Sequence, residues 1–209
     1  MRELRYALLS DGGADRALLR ILTWVLREHL PDCAIQPEWA DLRRLPVPLG
    51  NLNERIDQAL LFYPCDLLFV HRDAETRSRE ERVEEIRSAH ARCGRPDFPA
   101  VCVVPVRMTE AWLLFDESAI RRAAGNPNGR VPLRLPGGSE EAIPDPKRAL
   151  HSFLIEASEL TGRPRRKFKP SAYSGLVAQY IRDFRPLRGL AAFAAMEAEL
   201  CEALRQNDW

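Results

Sequence analysis

The sequence contains no apolar run that approaches the ~20 residues a transmembrane helix needs. Its first residues, MRELRYALLSDGG, hold an apolar run of strand length rather than the core of a signal peptide. We therefore expect a cytoplasmic, unexported protein with no membrane partner.

Cysteine is scarce and shows no pairing pattern. The cysteines are odd in number, widely spread and form no C-x-x-C pair, at positions Cys33, Cys65, Cys93, Cys102 and Cys201. This pattern indicates neither a disulfide framework nor a zinc ribbon. Reduced thiols in a cytosol fit it best.

Neither sign of charge is in excess. The 31 basic and 30 acidic residues leave a formal charge of +1, so a nucleic-acid partner would have to be recognised through local charge. The 45% hydrophobic and 29% charged residues are typical of a folded globular protein. A length of 209 residues suits one domain with a small helical appendage.

Several catalytic motifs are missing. The chain has no P-loop, no H-E-x-x-H and no G-x-S-x-G. The run His71-Arg72-Asp73 matches part of a protein-kinase motif, but the glycine-rich loop, the D-F-G and the expected Asn are absent, which excludes a kinase. We expect the scattered histidines to be surface or structural residues, with His71 the only one near the acids discussed below; they are His29, His71, His90 and His151.

Short apolar runs alternate with segments of helical periodicity over residues 1–124. This predicts strands at 4–10, 35–39, 66–71 and 100–104. One helix is expected to begin near Asn51, after the second strand, and another near Thr109, after the fourth. The run 66–71 is typical of a strand buried on both faces of a parallel sheet. The fold class predicted is α/β, a mostly parallel sheet flanked by helices.

The rest of the chain predicts a loop or lid at 125–145 and a helical extension at 146–209, packed on the same domain. The helices are expected at about 146–161, 171–184 and 188–206. A basic stretch, Arg163–Lys169, separates the first two.

Acidic residues follow three of the predicted strands. Asp11 closes strand one with Asp15 a helical turn beyond it, Asp73 and Glu75 close strand three, and Glu110 follows strand four. Because the carboxyl ends of parallel strands share one edge of the sheet, these acids are expected to cluster. Clustered carboxylates repel one another unless a cation compensates, so Mg²⁺ or Mn²⁺ is the simplest explanation.

Each acid also has an ordinary structural interpretation. Asp11 could be a turn residue or a helix cap, and Asp15 and Glu110 could be first-turn acids favoured by a helix dipole. Asp73 and Glu75 could be loop acids. The metal-site interpretation depends on the coincidence of all of them.

The segment Leu8–Asp15 resembles the E-G-x-x-D motif of TOPRIM domains, and Phe69–Glu75 resembles their D-x-D. The family's strand-one Glu is Asp11 here, and the second Asp of its D-x-D is Glu75. In OLD-type nucleases of this family a further acid and a lysine join a two-metal site, and the matching positions are Glu110 and Lys169. The run Glu110–Leu114 is also similar to the E-x-W-L-L of an uncharacterised bacterial TOPRIM-like family, which some associate with phage defence.

The resemblance implies a metal-dependent phosphodiesterase, a nuclease with a two-metal mechanism. Asp11 would be a ligand or general base, Asp73 and Glu75 would bind one ion, Asp15 and Glu110 the second, and Lys169 would offset charge on the phosphate. The stretch Arg163–Lys169, with Arg185 and Arg188, would contact the nucleic-acid backbone; its alternative is a solvated loop.

Two other classes remain open on the sequence. One is a non-catalytic regulatory or scaffold protein with a degenerate TOPRIM site, and the other is a transferase in which Asp73-x-Glu75 anchors a metal-bound nucleotide. The sequence does not decide whether the chain acts alone, as a homodimer or with a partner subunit.

Overall fold

A computed structural model describes residues 2–44 and 50–209. Its four strands are β1 (Arg2–Leu9), β2 (Cys33–Trp39), β3 (Leu67–His71) and β4 (Ala100–Val103). Its α-helices are α1 (Leu18–His29), α2 (Leu52–Phe62), α3 (Arg79–Ala91), α4 (Glu117–Ala123), α5 (Pro146–Ser158), α6 (Gly162–Lys167), α7 (Ser174–Tyr180) and α8 (Ala191–Gln206). Short 3-10 turns include Gly13–Ala17, Thr109–Leu113, Glu140–Ala142, Pro170–Ala172 and Arg185–Gly189.

The four strands form one parallel sheet in the order β2-β1-β3-β4. The predicted α/β class, a parallel sheet flanked by helices with a helical C-terminal part, is thereby confirmed. The registers pair Leu9 of β1 with Val70 of β3, and His71 of β3 with Val103 of β4. The carboxyl ends of β1, β3 and β4 therefore adjoin at one edge.

Both faces of the sheet are covered, which explains why β3 is apolar throughout. Alternate residues such as Tyr6, Leu8 and Phe69 pack into one core with α1, α4, α5, α7 and α8. The residues between them, such as Leu9 and Val70, pack into a second core with α2 and α3. Each fully buried side chain of this kind contributes about 1.5–3 kcal/mol relative to exposure.

Side-chain caps fix where several helices begin. Asn51 caps α2 as predicted, because its Oδ1 accepts from Glu54 N at 3.2 Å. Ser78 caps α3 in the same way, accepting from Glu81 N at 3.1 Å. The expectation that Thr109 caps a helix is wrong: Met108 is the cap residue, Thr109 opens a 3-10 turn, and its hydroxyl contacts Asp73 instead.

The C-terminal helices differ in detail from those expected. Most of the basic stretch, predicted to separate two helices, belongs to α6 (Gly162–Lys167). Helix α7 is shorter than expected, and residues Arg185–Gly189 form a 3-10 turn before α8. Helix α7 contacts α4 and the turn Gly13–Ala17, so the C-terminal part reaches the edge of the sheet where the acids lie.

Among the residues described, no helix is long and apolar enough to cross a membrane.

Candidate metal centre

Three side chains meet where β1 and β3 end. His71 is the last residue of β3, Asp73 follows it, and Asp15 lies in the 3-10 turn after the neighbouring strand β1. His71 Nε2 lies 3.5 Å from Asp73 Oδ1 and 3.7 Å from Asp15 Oδ1. The three potential ligand atoms all lie within 4.8 Å of one another, close enough to bind one metal ion.

His71 is held with its Nε2 toward the two acids. Its ring is buried, and its Nδ1 lies 3.0 Å from the carbonyl oxygen of Val103 on β4. A carbonyl oxygen can only accept, so Nδ1 carries the hydrogen, and Nε2, which can accept from the Thr109 hydroxyl 3.3 Å away, is the nitrogen with a lone pair for a metal ion. Metal-binding histidines commonly donate the N–H of their second ring nitrogen to a backbone carbonyl in this way.

The two carboxylate oxygens of Asp15 have different neighbours: one contacts the backbone and the other faces the three-residue group. Oδ2 accepts from Gly12 N at 2.8 Å, which is the capping interaction expected of a first-turn acid. Oδ1 faces His71. The structural and the metal-binding interpretations of Asp15 are therefore compatible in one side chain.

Asp73 is held by Thr109. Its Oδ1 accepts from Thr109 N at 2.9 Å and lies 3.3 Å from Thr109 Oγ1. Desolvation, aided by the charges of Asp15 and Glu110, raises the pKa of Asp73 to about 6, although His71 and the Thr109 N–H act to lower it. Its charged form is thus costly without a nearby cation.

Glu110 lies next to this group. It follows Thr109 in the same turn, its charge acts on Asp73, and it lines a cleft of about 1080 Å³ together with Asp15 and Thr109. No hydrogen bond or ion pair of its carboxylate occurs within residues 2–44 and 50–209. Glu110 is therefore an unpaired acid beside the three potential ligands.

Asp11 and Glu75, two of the other predicted site residues, are paired with arginines. Both oxygens of Asp11 face arginines, with Oδ1 at 2.6 Å from Arg55 Nη1 and Oδ2 at 3.2 Å from Arg72 Nε. The backbone of Glu75 has a positive φ of 55°, and its Oε2 lies 3.3 Å from Arg82 Nη2. In the described part of the chain neither acid belongs to the three-residue group.

Lys169 is exposed and precedes the 3-10 turn Pro170–Ala172. Ser171 and Ala172 of this turn line the same cleft as Asp15. The backbone thus brings Lys169 to the margin of the cleft.

Two residues of the site were not expected from the sequence: His71 as a ligand, and Thr109 as the residue that holds Asp73. For His71 a signal exists in the sequence, because it ends the most apolar strand and stands two residues before Asp73. For Thr109 no local signal exists, because its contact with Asp73 depends on how β3 and β4 adjoin.

Comparison of the chain with protein-family models, with curated proteins and with solved structures finds no match.

Proposed function

We propose that the protein is a metal-dependent phosphodiesterase, a nuclease that acts on DNA or RNA. The observation that carries the proposal is the Asp15–His71–Asp73 group, which adjoins an open cleft lined by arginines. Grouped ligands beside cationic side chains suit a substrate that carries phosphate.

The three residues fit a divalent cation, because its charge would offset the cost of ionising the buried Asp73, and because Nε2 of His71, which lies 3.3 Å from Thr109 Oγ1, faces the two acids and can serve as a ligand. Bound there, such a cation would activate a water molecule and neutralise charge on the phosphate. Carboxylate oxygens suit Mg²⁺ and Mn²⁺ equally, but an imidazole in the set favours the transition metal. We therefore propose Mn²⁺ as the preferred ion.

The surrounding residues would orient the metal ligands and deprotonate the attacking water. Thr109 would hold Asp73 through its N–H, and Val103 would hold the imidazole of His71 through its carbonyl. Glu110, which lines the cleft, is the carboxylate best placed to take a proton from the attacking water. This assigns to Glu110 the base role that the family resemblance gave to Asp11.

The resemblance to TOPRIM domains supports the proposal through the order of the acids along the chain and the parallel sheet that carries them. In a two-metal mechanism the second ion would take Glu110 as a ligand in place of its role as the base. Asp11 and Glu75 could bind that ion only after their ion pairs with Arg55 and Arg82 had broken.

The test is a titration with Mn²⁺, followed calorimetrically, and a nuclease screen on single- and double-stranded DNA and RNA. Wild type should bind the ion saturably and cleave in its presence, whereas Asp73→Asn should lose both properties. Asp97→Asn, at an exposed acid remote from the group, is the matched control and should behave as wild type. A wild type without saturable binding of Mn²⁺ or Mg²⁺ would contradict the proposal.

A non-catalytic protein with a degenerate TOPRIM site is the second candidate, because both oxygens of Asp11 face arginines. Such a protein would bind neither Mg²⁺ nor Mn²⁺ in the titration and would not cleave nucleic acid in the screen. A transferase would instead bind a metal-nucleotide complex without cutting either nucleic acid.

A further inference from the structure

One face of α1 carries a row of arginines that the metal group does not use. Arg20, Thr23 and Arg27 follow one another at intervals of three and four residues, which places them on the same side of α1, and Arg16 precedes them in the 3-10 turn Gly13–Ala17. All four line the cleft that Asp15 and Glu110 also line, and the three arginines are exposed. The row therefore begins at the metal group and leads away from it.

The cleft continues into a second hollow of about 400 Å³. The two share Arg20, Thr23, Arg27 and Gln179, and the second adds Arg122, Tyr180 and Arg182. We call the joined hollows the arginine groove. At a rise of 1.5 Å per residue, the part along α1 from Arg20 to Arg27 is about 10 Å long, and Arg16 in the preceding turn extends it toward the metal group, which gives room for several consecutive phosphates.

Among the residues described, four arginines that line the groove have no acidic partner. Within residues 2–44 and 50–209, no ion pair or side-chain hydrogen bond involves Arg20, Arg27, Arg122 or Arg182. The acids that line the groove in this part of the chain are Asp15 and Glu110, both at its metal end. Uncompensated cations along a concave surface create a positive potential that attracts anions.

The basic residues expected from the sequence to contact nucleic acid are either paired with acids or lie outside the groove. Arg185 is paired with Asp183, with Nη2 at 2.6 Å from Oδ2. Arg188 is paired with Glu197, with Nη2 at 2.8 Å from Oε1. The cations of α6 are exposed, and no residue of that helix is buried or lines the groove.

We infer that the arginine groove binds the backbone of single-stranded nucleic acid and directs it toward Asp15 and Glu110. Cations in a row match the evenly spaced phosphates of a polynucleotide, and the exposed ring of Tyr180 offers a surface on which a base can stack. Residues of α1 and α7 line the groove, and a stacking surface such as the Tyr180 ring suits the unpaired bases of a single strand. The inference rests on the proposed nuclease function, which supplies the chemistry at the metal end.

The test measures binding of a short fluorescent oligothymidylate by anisotropy, in EDTA so that neither metal nor cleavage is involved. The variant Arg20→Ala/Arg27→Ala should bind about tenfold more weakly at low salt, and the dependence of log K on log salt should flatten by about 0.7 for each phosphate that is no longer bound. The variant Arg20→Lys/Arg27→Lys should keep most of the affinity. Both changes lie on the exposed face of a helix that tolerates Ala and Lys, so folding should be unaffected.

The matched control is Arg163→Ala/Arg165→Ala/Arg166→Ala on α6, which should bind within about twofold of wild type if the groove is the binding surface. The inference is overturned if wild type does not bind, if the groove variant binds as wild type, if the α6 variant is the one that weakens, or if duplex competes better than single strand. Loss of Mn²⁺ binding with intact oligonucleotide binding would overturn the proposed function alone. The two failures are thus distinguishable.

Discussion

The Nδ1–H of His71 donates to the carbonyl oxygen of Val103 across the β3–β4 pair, with 3.0 Å between the two heavy atoms. A backbone acceptor on a neighbouring strand cannot rotate away, so it fixes both the tautomer and the plane of the ring. As a result Nε2 faces Asp15 and Asp73 without the cost of ordering a flexible side chain.

Two substitutions of His71 should distinguish the structural role of Nδ1 from the metal-binding role of Nε2. His71→Asn places an amide N–H near the position of Nδ1 and removes Nε2, so it should fold with a loss of about 1–2 kcal/mol and bind Mn²⁺ at least about tenfold more weakly. His71→Gln places an amide oxygen near Nε2 and should keep more of the metal affinity. Calorimetric titration and urea unfolding measure the two effects. Equal Mn²⁺ affinities for the His71→Asn variant and the wild-type protein would remove His71 from the ligand set.

Asp73 should lower the stability of the metal-free protein at neutral pH. Its pKa is raised from 3.8 to about 6 in the fold, so the native state binds the proton more tightly than the unfolded chain, and stability is lost as the pH rises from about 4 to about 6. Since its side chain is partly solvated, the loss is about 1–3 kcal/mol. Asp73→Asn keeps the acceptor for Thr109 and should melt at least as high as wild type in EDTA above pH 6, with the advantage gone near pH 4.

A lower melting temperature for Asp73→Asn than for wild type would identify Asp73 as a structural acid. If Asp73→Asn melts well below wild type in EDTA at neutral pH, the carboxylate is satisfied by protein hydrogen bonds and contributes to the fold as a charged group. Thr109 would then be its structural partner rather than the residue that holds a ligand.

Mn²⁺ affinity should depend on pH through Asp73. The ion competes with the proton on this carboxylate, so affinity should fall about tenfold per pH unit below about pH 6 and level off above it. Titrations at a series of pH values, at constant ionic strength, measure the midpoint. An affinity that is constant from pH 5 to pH 7 would mean that the ion does not bind Asp73.

Replacement by Asn should weaken Mn²⁺ binding at Asp15 but not at Asp11. Asp15→Asn removes a charge that faces His71 and should weaken Mn²⁺ binding by about tenfold or more. Asp11→Asn removes a partly exposed partner of Arg55 and Arg72, and should cost up to about 1 kcal/mol of stability with metal affinity within about twofold of wild type. If instead Asp11→Asn abolishes metal binding, the ligand role implied by the TOPRIM resemblance applies, and the arginine pairs are exchanged on metal binding.

The parallel sheet could be predicted from the sequence because the periodicity of β3 and the order of strands and helices are local signals. That Asp73 lies at a strand end followed from the same signals. The partners of Asp11 and Glu75 could not be predicted, because Arg55 and Arg82 lie on α2 and α3, and their contacts depend on how those helices pack on the sheet. The position of the arginine groove likewise depends on α7 lying beside α1.

Glu110→Gln tests whether Glu110 is a ligand or only a neighbouring charge. The negative charge of Glu110 raises the pKa of Asp73, so its removal should lower that pKa and move the pH midpoint of Mn²⁺ binding downward. If Glu110 is not a ligand, affinity above pH 6 should stay within about twofold of wild type while cleavage falls by about 10²–10⁴, the range for loss of a general base. A large loss of affinity at all pH values would place Glu110 among the ligands and leave the base unassigned. Glu84→Gln, at an exposed acid on α3, is the control and should change neither quantity. The two readouts are independent because affinity above the midpoint does not depend on the proton that Asp73 must release.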